Sequence, residues 1–121
     1  MIIVNCNDVE AMARPDEDPM VAQGPVSMKR LVDANVSGGF GVLFVTFSPG
    51  ARLNFHTHPA EQILYITDGK GIIATKDKEY TVTPGTVVFI PPGEVHWHGA
   101  TKDSSFTHLA LYKGEATVIE E

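Results

Sequence analysis

The sequence predicts an all-β fold, a barrel or a sandwich, and three observations carry that expectation. Eleven Gly and eight Pro break the 121 residues at short intervals. No window of about a dozen residues repeats apolar side chains at i, i+3, i+4 and i+7, as an amphipathic helix would. Between the breaks lie short runs rich in β-branched and aromatic residues, the composition of strands.

Taken in order, Met1 to Val4 has strand composition but no hairpin partner nearby, so it is expected to pair with a distant strand or a second subunit. Arg14-Pro15-Asp16-Glu17-Asp18-Pro19 is charged and bracketed by proline, too polar to bury, and reads as a surface loop. Residues 1–30 are therefore expected to be irregular. Strands are expected at 27–32, 41–47, 62–67, 71–76, 79–82, 86–90, 95–98, 106–112 and 116–119. Turn signals separate most of them: Ser48-Pro49-Gly50, Thr67-Asp68-Gly69-Lys70-Gly71, Lys76-Asp77-Lys78, Pro84-Gly85, Pro91-Pro92-Gly93 and Lys102-Asp103-Ser104. Ser37-Gly38-Gly39-Phe40-Gly41 is Gly-rich, but no helix follows it, so it reads as a flexible turn and not a phosphate cradle.

Composition bounds the partners. With 43% apolar residues the chain can close one modest core, so residues 1–121 are expected to form a single domain. The net charge of −6 argues against nucleic acid or an anionic membrane surface as partner. The lone Cys6 excludes a disulfide framework and a multi-Cys zinc site. Apolar runs such as 41–47 and 87–90 fall far short of the roughly 20 residues of a membrane helix, and Met1-Ile2-Ile3-Val4 lacks the basic start of a signal peptide. A cytoplasmic location is the expectation.

The chemistry lies in the histidines. All five occur beyond residue 55, and four of them form the pairs His56-x-His58 and His96-x-His98. In an extended strand i and i+2 point to one face, so each pair projects together, the start of a metal site. Alternation from His58 selects Gln62 as a fourth donor. Glu61 would take that place only if a bulge at Pro59 rotated it inward.

Two motifs then resemble those of the cupin superfamily. Gly50-x5-His56-x-His58-x3-Gln62-x6-Gly69 is similar to the first cupin motif, with Gln62 where the family usually has Glu. Gly85-x5-Pro91-x-Gly93-x2-His96-x3-Ala100 is similar to the second, with Ala100 in place of Asn. The resemblance covers residues 50–100 directly and implies a double-stranded β-helix, the cupin jelly-roll barrel. It also implies a divalent metal held inside by His56, His58, Gln62 and His96. His96-Trp97-His98-Gly99 with Thr107-His108-Leu109-Ala110 looks like the cupin domains related to carboxymuconolactone decarboxylase.

With three imidazoles and a neutral amide as ligands, the full +2 charge stays on the metal, which favours an anionic or carbonyl-bearing small substrate. Nitrogen and oxygen donors without thiolate suit Zn, Fe, Ni, Mn or Cu. His98, on the same face as His96, is the expected proton carrier. His108 shares a face with Phe106, Ala110 and Tyr112, opposite the more apolar Thr107, Leu109 and Leu111, and alternation alone does not say which face is inner. His98 and His108 are the candidate catalytic residues. Arg52 could meet a substrate carboxylate, although a surface role suits it better, while Leu64, Ile66, Phe44 and Phe89 are candidate pocket or core residues. Tyr65 and Trp97 point away from the site by alternation.

The expected function is a metal-dependent enzyme of decarboxylase, lyase or isomerase type. A dioxygenase using iron, copper or nickel is an alternative, and so is a non-enzymatic binding or sensor cupin. A homodimer is expected, covering either Met1 to Val4 or the face bearing Ile63, Tyr65 and Trp97. The competing cover is residues 5–30 folded back on the same chain through Met12, Met20, Val21 and Val26.

Overall fold

A computed structural model describes residues 1–119. The strands are β1 (Met12–Ala13), β2 (Val21–Gln23), β3 (Val26–Val32), β4 (Gly41–Phe47), β5 (Arg52–Leu53), β6 (His56–Thr57), β7 (Gln62–Gly69), β8 (Gly71–Ala74), β9 (Glu79–Val82), β10 (Val87–Ile90), β11 (Trp97–Ala100), β12 (Phe106–Tyr112) and β13 (Thr117–Val118). A short helix, α1 (Ala34–Ser37), joins β3 to β4; Asp33 caps its start by accepting from the Asn35 N–H, and Gly38 ends it.

Two antiparallel sheets form the jelly roll, in the orders β1-β3-β4-β12-β7-β10 and β2-β5-β11-β8-β9, while β13 pairs with β6 across one end. The chain passes from the first sheet to the second between Gly69 and Gly71, where β7 ends and β8 begins. Between the sheets Phe47, Phe106, Leu64, Ile66 and Val26 are fully buried and form the floor of the barrel. On β12 the face carrying Phe106, His108 and Ala110 is buried, whereas Thr107, Leu109 and Leu111 are only half-buried. The histidine face is thus the inner one, although its opposite face is the more apolar.

Several expectations need correction. Met1 to Val4 is not a strand and lies exposed. Met20, Val21 and Val26 are not a separate cover: β2 and β3 are members of the sheets, and these side chains pack on or within the core. Trp97 points away from the histidines but is only 6% exposed, because the Arg52 guanidinium lies 3.8 Å from its ring centre. It also belongs to the sheet opposite that of Ile63 and Tyr65, so the three form no common patch. Phe89 is 61% exposed and lies outside the core and the main histidine cavity, but it lines a second recess that His96 also borders. Phe44 is half-buried outside the core cluster.

Candidate metal centre and active site

The two histidine motifs meet through the backbone. His56 and His96 form an isolated antiparallel bridge, with His56 N–H donating to the His96 carbonyl at 2.9 Å and His96 N–H donating to the His56 carbonyl at 3.1 Å. The turn at Pro91-Pro92-Gly93 is tied to the same place, since Gly93 N–H donates to the His58 carbonyl at 2.9 Å. Gly93 has φ +79°, a left-handed conformation that a side chain at this turn would strain.

Each ring is oriented by a carbonyl two residues before it. His56 Nδ1 lies 2.8 Å from the Asn54 oxygen, and His96 Nδ1 lies 2.9 Å from the Glu94 oxygen. A carbonyl only accepts, so both protons sit on Nδ1 and both Nε2 atoms present lone pairs. His58 bonds the backbone at Gly114. Donor atoms of His56, His58 and His96 lie within 4.8 Å of one another, and all three residues are buried.

Gln62 is buried beside them and Glu61 is exposed; the chain bends at Pro59 and Ala60 between β6 and β7, and Gln62, the first residue of β7, is the one turned inward. Gln62 Oε1 lies 3.3 Å from His96 Nε2. As His96 Nδ1 carries the proton, its Nε2 lone pair faces the Gln62 amide, which can meet it with its NH2 group or join it through the oxygen in holding a cation. Buried His56 Nε2 and His58 Nδ1 have no hydrogen-bond partner. These orphaned lone pairs fit a metal ion, which three convergent neutral imidazoles are suited to bind.

His98 and His108 stand beside this cluster. His108 Nε2 and His98 Nδ1 are 3.0 Å apart, one donating to the other, and both rings are buried. His98 Nε2 has no partner, and its ring centre is 5.3 Å from that of His56. Phe47 packs on both rings. Burial pushes His108 down to about 3. It also holds His98 well below the usual histidine range, where charge on His108 would lower it further. His56 is pushed down to about 3 by burial and then by His96, and burial lowers His58 and His96 as well. All five are neutral near pH 7, the state needed by a ligand or a base.

The rings open into a cavity of about 370 Å3. Its walls include Met20, Met28, Leu43, Val45, Leu53 and Ala110, and its rim carries Arg14, Asp18, Arg30, Tyr112 and Glu115. His96 stands behind and also borders a second recess with Ile73, Val82 and Val88. Arg52 is absent from the cavity: it lies on Trp97, and its Nε donates to the Leu53 carbonyl at 3.1 Å. Sequence reasoning missed Arg30 altogether. Tyr112 was accessible to it, since alternation along β12 places Tyr112 on the face of His108.

The comparisons agree with this architecture. The cupin domain family matches residues 43–112. A protein of Granulicella tundricola named (R)-mandelonitrile lyase is 47% identical over 68 residues, which are 55% of this chain and 52% of that protein. The chain thus matches about half the length of that curated relative. The polyketide cyclase RemF from Streptomyces resistomycificus superposes with a TM-score of 0.82 at 22% identity, over 100% of this chain and 87% of that one, which shows the shared fold. A cupin-like protein from Thermotoga maritima has a TM-score of 0.77 and 34% identity over 88% of this chain and 90% of its own. With both histidine motifs folded into one jelly roll and the family match spanning them, the chain belongs to the cupin family.

Proposed function

We propose that this cupin is a metal-dependent lyase, of the broad decarboxylase, lyase or isomerase type, that breaks a bond beside a carbonyl or hydroxyl carbon of a small molecule. The observation that carries the reading is the convergence of the donor atoms of His56, His58 and His96, those of His56 and His58 without a partner, beside the buried His98–His108 pair at one end of the cavity. The identity with a protein named (R)-mandelonitrile lyase supports the lyase class.

His56, His58, His96 and the Gln62 amide oxygen would hold the metal, drawn from Zn, Fe, Ni, Mn or Cu. When bound it acts as a Lewis acid toward a substrate oxygen. The residues of the chain do the rest. In the tautomer where His98 Nδ1–H donates to His108, His98 Nε2 presents a lone pair to the cavity and takes the substrate hydroxyl proton. The O–H electron pair then becomes the new carbonyl bond. The pair of the breaking carbon–carbon bond leaves with the departing group, which takes the proton back from His98. His108 holds His98 in the required tautomer, and the apolar walls exclude water from the exchange.

Metal analysis by mass spectrometry, on protein purified without added metal, should find about one divalent transition metal per chain. That protein should turn over cyanohydrins, with activity lost to a chelator. A metal-free protein, or a loaded one no more active than His58→Ala, refutes the reading.

The molecule acts as a homodimer in this proposal. Tyr65 and Val87 face each other across β7 and β10 and are 43% and 63% exposed, with exposed Phe89 close by. Light scattering should give twice 13.1 kDa, and a mass of one chain at micromolar concentration excludes the dimer. No helix among the described residues is long and apolar enough to cross a membrane.

A further inference from the structure

The rim of the cavity holds a donor group that the proposed bond-breaking step does not use. Tyr112 on β12 lies directly opposite Gly41 on β4, and a Cβ at Gly41 would overlap the tyrosine ring. The missing side chain lets the ring lie across the strand, with its centre 6.2 Å from that of the His58 ring. Its hydroxyl oxygen accepts a hydrogen bond from Arg30 Nη1 at 3.1 Å. Having accepted there, the phenol keeps its own proton to donate. Arg30 is exposed, and of its guanidinium donors this one is engaged by Tyr112.

The charges around the rim are unevenly matched. Arg14 Nη1 is paired with Asp18 Oδ2 at 3.2 Å, and Asp18 Oδ1 also accepts from Met20 N–H. That pair is neutral. Glu115 is the other rim carboxylate, and among the described residues no ion pair joins it to Arg30. Arg30 and Tyr112 therefore present a cation and an O–H donor side by side, joined by one hydrogen bond and, among the described residues, with no carboxylate paired to Arg30. A planar carboxylate is the complement of such a set.

We propose that Arg30 and Tyr112 form a carboxylate-binding subsite at the mouth of the histidine cavity, so that the substrate is a small organic acid. Its carboxylate rests at the rim while its carbonyl or hydroxyl end reaches the histidines. The subsite rests on the metal-lyase reading and gives it a substrate class. It also takes over the role for which the sequence offered Arg52, which the fold places on the outside of the barrel.

The test is titration calorimetry with 4-formylbenzoate and its uncharged analogue 4-formylbenzamide, whose two functional ends are held apart by a rigid ring. The metal content of every sample is measured as well. The acid should bind the wild-type protein about tenfold more tightly than the amide, and added salt should reduce the advantage. Arg30→Gln should bring the two ligands to within about threefold, and Arg30→Lys should fall between, because it keeps the charge but loses the planar fork. Tyr112→Phe should lose part of the advantage. Equal binding of both ligands to the wild type overturns the subsite. So does an advantage that survives Arg30→Gln, since the carboxylate would then be held elsewhere, as on the metal. Wild-type protein that is metal-free as purified and still shows the advantage overturns the lyase reading and leaves the subsite standing.

Discussion

Replacing His108 by Gln should make the acid limb of the stability curve shallower. His108 is fully buried against Phe47, Phe106 and His98, and burial lowers it from 6.5 to about 3. Below pH 6.5 the unfolded chain takes up a proton at this ring while the folded chain does not. Acid therefore favours unfolding, and stability present above 6.5 is lost as the pH falls toward 3. At pH 5 the loss from this one ring is about 2 kcal/mol, growing by about 1.4 kcal/mol for each further pH unit. Glutamine keeps, in its amide oxygen, an acceptor for His98 Nδ1–H and has no proton to gain, so the variant should be spared that loss while costing about 1 kcal/mol at pH 7.5. His98 adds to the difference, because charge on His108 is among the causes that lower it. Urea unfolding of both proteins at pH 7.5 and pH 5.0, with a chelator present to remove metal linkage, measures the contrast. Equal losses of stability on acidification would show that His108 is protonated in the folded state and would refute the argument.

Three further outcomes are expected. His58→Ala should lose most of its metal, read by mass spectrometry, while still melting cooperatively, because the core of Phe47, Phe106, Leu64 and Ile66 lies outside the donor set; a non-cooperative melt counts against this. Gln62→Glu should tighten metal binding and weaken anionic ligands as the charge of the site falls from +2 to +1, and unchanged metal affinity places Gln62 outside the ligand set. Phe47→Ala should cost about 3–5 kcal/mol in urea unfolding, since its ring is fully buried and carries both His98 and His108; a loss below about 1 kcal/mol would mean that the site closes over the gap.

The strands around the site were legible where alternation holds, as in residues 62–66 of β7. His58 and Gln62 fall inside and Glu61 outside, although the chain between them bends at Pro59 and Ala60 and no single strand carries the period. Strands β4, β9 and β12 begin and end where turn residues and apolar runs place them. Alternation failed to decide β12 because it assumes that the apolar face is the buried one, and this barrel buries histidine. Trp97 shows another limit: the pattern says which way a side chain points, but not that Arg52 from β5 will lie over it. The strands β1, β5, β6 and β13 have two residues each, too few to show any period. Arg30 was invisible for a further reason. Its partner Tyr112 is 82 residues away, and only closure of the sheet brings them together.

The bonds around His56 and His96 divide the assembly of the site into a local and a global part. Each ring takes its tautomer from a carbonyl two residues away, a preference available as soon as that short segment is extended. Convergence of the rings needs the mutual backbone bridge between residues 40 positions apart, which exists only once the barrel has closed. A metal added during refolding would thus meet correctly prepared single ligands early and a chelating set only at the end. The optical signature of a bound cobalt or copper ion would accordingly time the last step of folding.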